Sequence, residues 1–122
     1  MPQAPWTIEL YETEQGVKPA RVFLERLEGR NRAEAIALVK LLRERGGSLQ
    51  RPRSGSLGGG LFELRGKEVR IFYVFLSNRI AVLLDGQIKK RSDIPKKTLD
   101  RVRRYQSEVF RRKHVETQEE KR

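Results

Sequence analysis

The chain has 122 residues, no cysteine and one histidine, and its 27 Lys+Arg outnumber 16 Asp+Glu for a formal charge of +11. That length suits one domain with one modest core, and the missing cysteines exclude disulfides, thiolate metal sites and a cysteine nucleophile. So large an excess of one sign points to a polyanionic partner: nucleic acid first, an anionic membrane surface second, an acidic protein third. The single His114 argues against a histidine-built metal site. No apolar run approaches the length of a membrane span and "MPQAPW" lacks a signal-peptide core, so a soluble, cytoplasmic protein is expected.

In chain order, "WTIEL" alternates, with Trp6, Ile8 and Leu10 on one side, and reads as a first strand. "KPARVFLERLEGRN" follows with Pro19 near a helix start and Val22, Phe23, Arg26 and Leu27 at helical spacing. Asn31 and Glu34 form a capping-box pattern for a second helix, whose apolar stripe is Ala35, Ile36, Leu38, Val39 and Leu42. The two helices predict an αα-hairpin. Residues 46–60, "GGSLQRPRSGSLGGG", read as a loop, with Gly58–Gly60 a flexible lead-in to the sheet. Three strands follow: Leu61–Arg65, Val69–Leu76 and Arg79 to about Lys90. A last helix starts near Pro95, with Leu99, Val102, Tyr105 and Val109 on one side and a basic stripe on the other. The composition predicts one domain over residues 1–113 and a polar, flexible tail over 114–122.

Arginine is costly in a strand that is otherwise apolar, so Arg65 and Arg70 need a reason. With two-residue turns at Gly66-Lys67 and Ser77-Asn78, one face carries Phe62, Leu64, Val69, Ile71, Tyr73, Phe75, Ile80, Val82, Leu84 and Ile88. The helical hairpin is expected on that face. The other face is apolar near Ser77-Asn78, through Phe72, Val74, Leu76, Ala81 and Leu83. At its opposite end it is charged: Glu63, Arg70 and Asp85 form one row, and Arg65, Glu68 and Gln87 the next. Such a row is either a plain cross-strand ion-pair ladder or a phosphate-binding patch. Arg65, Lys89 and Lys90, which exceed what the carboxylates neutralise, favour the second.

The strings "LGGGLFELR", "VRIFYVF" and "IAVLLDGQIKKRSDIP", followed by a basic helix, resemble the phage-derived Gp49-like/HigB branch of the RelE/ParE toxin superfamily. The resemblance spans about Trp6 to Phe110. It implies an α+β fold: a RelE-like twisted antiparallel sheet, an N-terminal helical hairpin packed on one face and a C-terminal basic helix. It further implies the toxin of a type II toxin–antitoxin system, a ribosome-dependent mRNA endonuclease that uses no metal or cofactor. The implied partners are a small helix-turn-helix antitoxin, the ribosome and mRNA, with no membrane. Position by position it assigns Arg65, Arg70 and Lys89 to phosphate stabilisation, with Glu63 and Asp85 as proton-carrier candidates. Lys90, Arg91, Lys96, Lys97, Arg101 and Arg104 are the expected RNA contacts. Where relatives commonly read Leu-His-Gly-Phe this chain reads Leu84-Asp85-Gly86-Gln87, and Arg91 replaces a usual threonine. Those departures keep open a catalytically degenerate nucleic-acid-binding module, and the shared fold keeps open a ParE-like topoisomerase-directed toxin.

Overall fold

The computed structural model describes residues 5–90 and 92–120, the last seven of these by backbone only. The fold is α+β. It comprises β1 (Thr7–Leu10), α1 (Pro19–Arg26), α2 (Gly29–Arg45), a 3₁₀ turn (Gly46–Ser48), β2 (Ser54–Gly58), β3 (Leu61–Arg65), β4 (Val69–Leu76), β5 (Ile80–Ile88) and α3 (Lys96–Glu120). The five strands form one sheet in the order β1-β5-β4-β3-β2. β1 runs parallel to β5 and every other pair is antiparallel, so the sheet is mixed where a purely antiparallel one was expected. The helical hairpin makes this possible, because it carries the chain from one edge of the sheet to the other.

Pro19 stands at the first turn of α1, where its missing N–H costs nothing. α2 begins at Gly29 rather than at Asn31, because Gly29 takes a left-handed φ of 54° and turns the chain two residues early. The capping box therefore does not form. Glu34 instead turns outward to the β3–β4 connection, where its carboxylate accepts N–H groups of Lys67, Glu68 and Val69 at 2.8, 3.2 and 3.2 Å. Residues 46–60 are also more ordered in hydrogen bonding than a loop. They include the edge strand β2, and Gly58, Gly59 and Gly60 all adopt positive φ in the tight β2–β3 turn. Arg103 and Gln106 of α3 donate to the carbonyls of Leu57, Gly58 and Gly59, so the glycine run is a pinned turn rather than a flexible lead-in.

Both connecting turns differ from the expected two residues. Arg65 pairs with Arg70, leaving four residues between them, and Leu76 pairs with Ile80, leaving three. Four is even and preserves the faces; three is odd and inverts the start of β5. A bulge at Leu84, where Tyr73 pairs with Leu83 but Phe72 with Asp85, inverts the remainder back. Ala81 and Leu83 therefore join Leu64, Val69, Ile71 and Tyr73 under the hairpin residues Ala20, Leu38 and Leu42. Val82 and Leu84, expected on that face, pack with Phe72, Val74, Val102 and Val109 beneath α3. Tyr73 is core, bonded to the Ser54 hydroxyl at 2.6 Å, and the Tyr105 ring packs at a tilt against Tyr11, centroids 4.7 Å apart, a packing role. Ile36 points away from the core and is 61% exposed. The side chains from His114 onward lie outside the described residues, and the backbone of α3 runs through the position expected for the start of a tail.

Partial burial would raise the Glu34 carboxyl, but the three backbone N–H bonds and nearby Arg53 outweigh it and hold the pKa below the usual value of 4.5. A depressed folded-state pKa contributes stability that is present above the unfolded value and is lost as pH falls through the folded one. Glu34→Gln should thus flatten the acid limb of a stability-versus-pH curve below about pH 4.3. Chemical denaturation at a series of pH values measures it, and an acid limb identical to wild type contradicts the clamp.

Candidate nucleic-acid interface

The bulge that restores the faces also builds the polar site. Across β3, β4 and β5 the observed rows are Glu63–Phe72–Asp85 and Arg65–Arg70–Gln87, in place of the expected Glu63–Arg70–Asp85 and Arg65–Glu68–Gln87. The longer first turn slides β3 along β4 by one pair of residues, which sets Arg65 directly opposite Arg70. Like charges so placed repel. Glu63, one row along on the same face, reconciles them: its Oε1 accepts the Arg65 Nε–H at 2.5 Å, while its Oε2 faces the Arg70 Nε at 3.1 Å. The second contact is a charge pair rather than an aligned hydrogen bond. Arg70 also donates through Nη2 to the Ser92 carbonyl at 3.1 Å.

Burial ranks these groups. Glu63 is 2% exposed and Arg70 3%, whereas the Arg65 side chain keeps 34% of its surface. Arg65 is able to lie flat because β2 offers Gly55 beneath it; a Cβ there would stand 2.7 Å from the guanidinium carbon. Two arginines share one carboxylate, so the cluster keeps one positive charge. Removing the carboxylate from so buried a group typically costs about 3–5 kcal/mol, because the remaining charges lose their partner. Asp85 sits apart from Arg70. Its Oδ2 accepts the Arg101 Nε–H at 3.0 Å and its Oδ1 the Gly86 N–H at 2.8 Å, tying β5 to α3. Gln87 reaches the same helix through the Thr98 hydroxyl at 3.1 Å.

Two cavities open beside the cluster. One, of about 540 Å³, is lined by Arg70, Gln87, Ile88, Lys89, Lys90, Asp93 and Pro95. The other, of about 460 Å³, is lined by Arg51, Pro52, Arg53, Arg65, Gly66, Lys67 and Lys89. Lys89 belongs to both and joins them into one cationic groove. Among the described residues no aromatic side chain lines either, which leaves backbone contact as their available chemistry. Arg65, Arg70, Lys89 and Lys90 are therefore brought together, with Glu63 as their brace. Lys96, Lys97 and Arg104 are exposed on α3, and Arg101 is engaged with Asp85. Lys96 pairs with Asp100 at 2.8 Å, and that hydrogen bond raises its pKa. Arg91 lies outside the described residues. Sequence reasoning missed Arg51, Arg53, Lys67 and Asp93, because they fall in connections; the basic string "QRPR" was the available signal.

Residues 22–107 match the family described as phage-derived protein, Gp49-like. The chain belongs to that family. Among solved structures it is similar to the RelBE2 toxin–antitoxin complex from Mycobacterium tuberculosis, at 21% identity and a TM-score of 0.45, over 73% of this chain and 97% of that one. No curated protein matches it.

The close approach of Gly55 to Arg65 is directly testable. Gly55→Ala should leave the fold stable, since the atom displaced is the end of a flexible side chain, yet push the Arg65 guanidinium off Glu63. The Nε–H resonance of Arg65 reports the contact. It should move to the position of an exposed arginine; an unshifted, protected resonance contradicts the arrangement.

Proposed function

We propose that this Gp49-like protein is the toxin of a type II toxin–antitoxin system and cleaves mRNA on the ribosome, gripping the scissile phosphate with Arg65, Arg70 and Lys89. The observation that carries the reading is the opposed arginine pair, braced by one buried carboxylate and opening onto a groove lined by cations. Nothing in the packing of the sheet requires two guanidinium groups face to face. Glu63 offsets their mutual repulsion but leaves the pair one positive charge; an oxyanion bound beside the pair would neutralise that charge, and arginine forks match its paired oxygens.

The chemistry uses the substrate's own nucleophile. The 2′-hydroxyl oxygen attacks the adjacent phosphorus, its proton passes to a base, and the 5′-oxygen leaves and takes up a proton. The products are a 2′,3′-cyclic phosphate and a 5′-hydroxyl. The protein's work is to align the three atoms and to stabilise the added negative charge on phosphorus-bound oxygens. Glu63 is a poor proton carrier here, because taking up a proton would leave Arg65 and Arg70 without their counter-charge. Asp85 is similarly committed to Arg101. We assign both to holding arginines. We assign the role of accepting the 2′-hydroxyl proton to Asp93, because its carboxylate lines the Arg70 cavity. The partner that silences the toxin is read as a small helix-turn-helix antitoxin, with acidic groups opposing the +11 surface.

The test is cleavage of ribosome-bound mRNA, with end-group analysis of the fragments. Arg65→Ala and Arg70→Ala should each lose about 10²–10³ in rate while remaining folded, and Arg70→Lys should stay poor because a point charge lacks the fork. Asp93→Asn should lose about 10²-fold in cleavage with RNA affinity kept, the signature of a lost proton acceptor. Asp85→Asn should release Arg101 and tighten RNA binding. Wild-type protein that binds RNA tightly but never cuts it would instead assign the chain to the non-catalytic binding module.

A further inference from the structure

The second cavity carries a feature that phosphate stabilisation at Arg65 and Arg70 does not explain. Five of its seven lining residues, Arg51, Arg53, Arg65, Lys67 and Lys89, are cationic, and none is acidic. Arg51, Arg53 and Lys67 come from connections rather than from strands, and all three are exposed. Among the described residues no salt bridge holds Arg51, Arg53, Lys67 or Lys89. Glu34, which lies against the lining residue Gly66, has both carboxylate oxygens engaged by the N–H groups of residues 67–69. Its influence reaches Arg53 only through space.

Such a concentration of one sign raises the energy of the empty protein. Its backbone is nonetheless fixed. The Arg65 N–H donates to the Arg53 carbonyl at 2.7 Å, the Gly66 N–H to Val69 at 2.8 Å, and the Lys89 N–H to Glu68 at 2.5 Å. Three connections are thus knitted together in an arrangement that brings their cations to one hollow. An exposed solvated face would have no reason to converge.

We infer that Arg51, Arg53 and Lys67 form a second phosphate cradle, which holds the RNA backbone one or more nucleotides away from the scissile group. This rests on the reading of the chain as an RNA-cleaving toxin and extends it: single-stranded RNA runs through both cavities, with Lys89 touching it at their junction. Because no aromatic or base-reading group lines the hollow, the cradle grips the backbone without regard to sequence. Arg51, Arg53 and Lys67 position the substrate and take no part in the bond-making step.

Counterion release gives the test. A short single-stranded oligoribonucleotide carrying a 2′-O-methyl group at each position binds without being cut. The slope of its log affinity against log salt measures the phosphates neutralised, at about 0.7 per contact for single strands. The triple variant Arg51→Gln, Arg53→Gln, Lys67→Gln should lower that slope by about 2, equally for oligonucleotides of unrelated sequence. Each single variant should lower it by about 0.7, which keeps the test available if the triple variant unfolds. The equal charge change at Arg32, Lys40 and Arg43, which line the α1–α2 groove, should leave the slope as in wild type. An unchanged slope in the cradle variants, or an equal drop in the α1–α2 variant, overturns the cradle. Wild-type protein with no salt-dependent RNA binding overturns the RNA reading itself, and the cradle with it.

Discussion

Glu63 between Arg65 and Arg70 is the contact on which the site depends. Placing two arginines opposite each other in adjacent strands is unfavourable, and burying one of them to 3% exposure makes it more so. One carboxylate touching both guanidinium groups makes the arrangement tolerable and still leaves a unit of positive charge. That residual charge, rigidly held and partly open to solvent through Arg65, is what a floppy pair of surface arginines could not supply. Much of the surrounding structure serves it. Gly55 clears space above β2, Ser92 takes the far end of Arg70, and Glu34 clamps the turn that sets the register of β3 on β4.

The two faces of the sheet divide the labour. The hairpin α1–α2 covers one face with aliphatic residues and gives the sheet its main core. α3 covers only part of the other, and Val102 and Val109 seal the apolar half over Phe72 and Val74. Where α3 begins, the seal ends, and the charged rows emerge beside Lys89 and Lys90. Asp85–Arg101 and Gln87–Thr98 mark that border. The helix therefore fixes the wall of the groove as well as closing the core.

The periodicity of β3 and β4 was legible in the sequence, and so was the convergence of Glu63, Arg65, Arg70 and Gln87 on one face. Their rows were not. A four-residue turn and a two-residue turn have the same parity, so alternation cannot distinguish them, yet they pair different residues. β5 was half legible for a subtler reason. Its odd turn, with Asn78 and Arg79 both at positive φ, and its bulge at Leu84 cancel for Asp85 and Gln87 but not for Ala81 to Leu84. A bulge leaves no mark in hydrophobic alternation when the residues leading into it, here Ile80 to Leu84, are all apolar. β2 escaped notice because "SGSLG" has the composition of a loop, and with it went Arg51 and Arg53, which its approach delivers to the groove.

The central claim is that the braced arginine pair meets an RNA phosphate. A structure of the protein bound to a 2′-O-methylated oligoribonucleotide tests it most directly. The account predicts a backbone phosphate whose non-bridging oxygens accept hydrogen bonds from Arg65 and Arg70, with Lys89 alongside and Glu63 still in place. RNA lying along the outer face of α3, with Arg65 and Arg70 untouched, would contradict it.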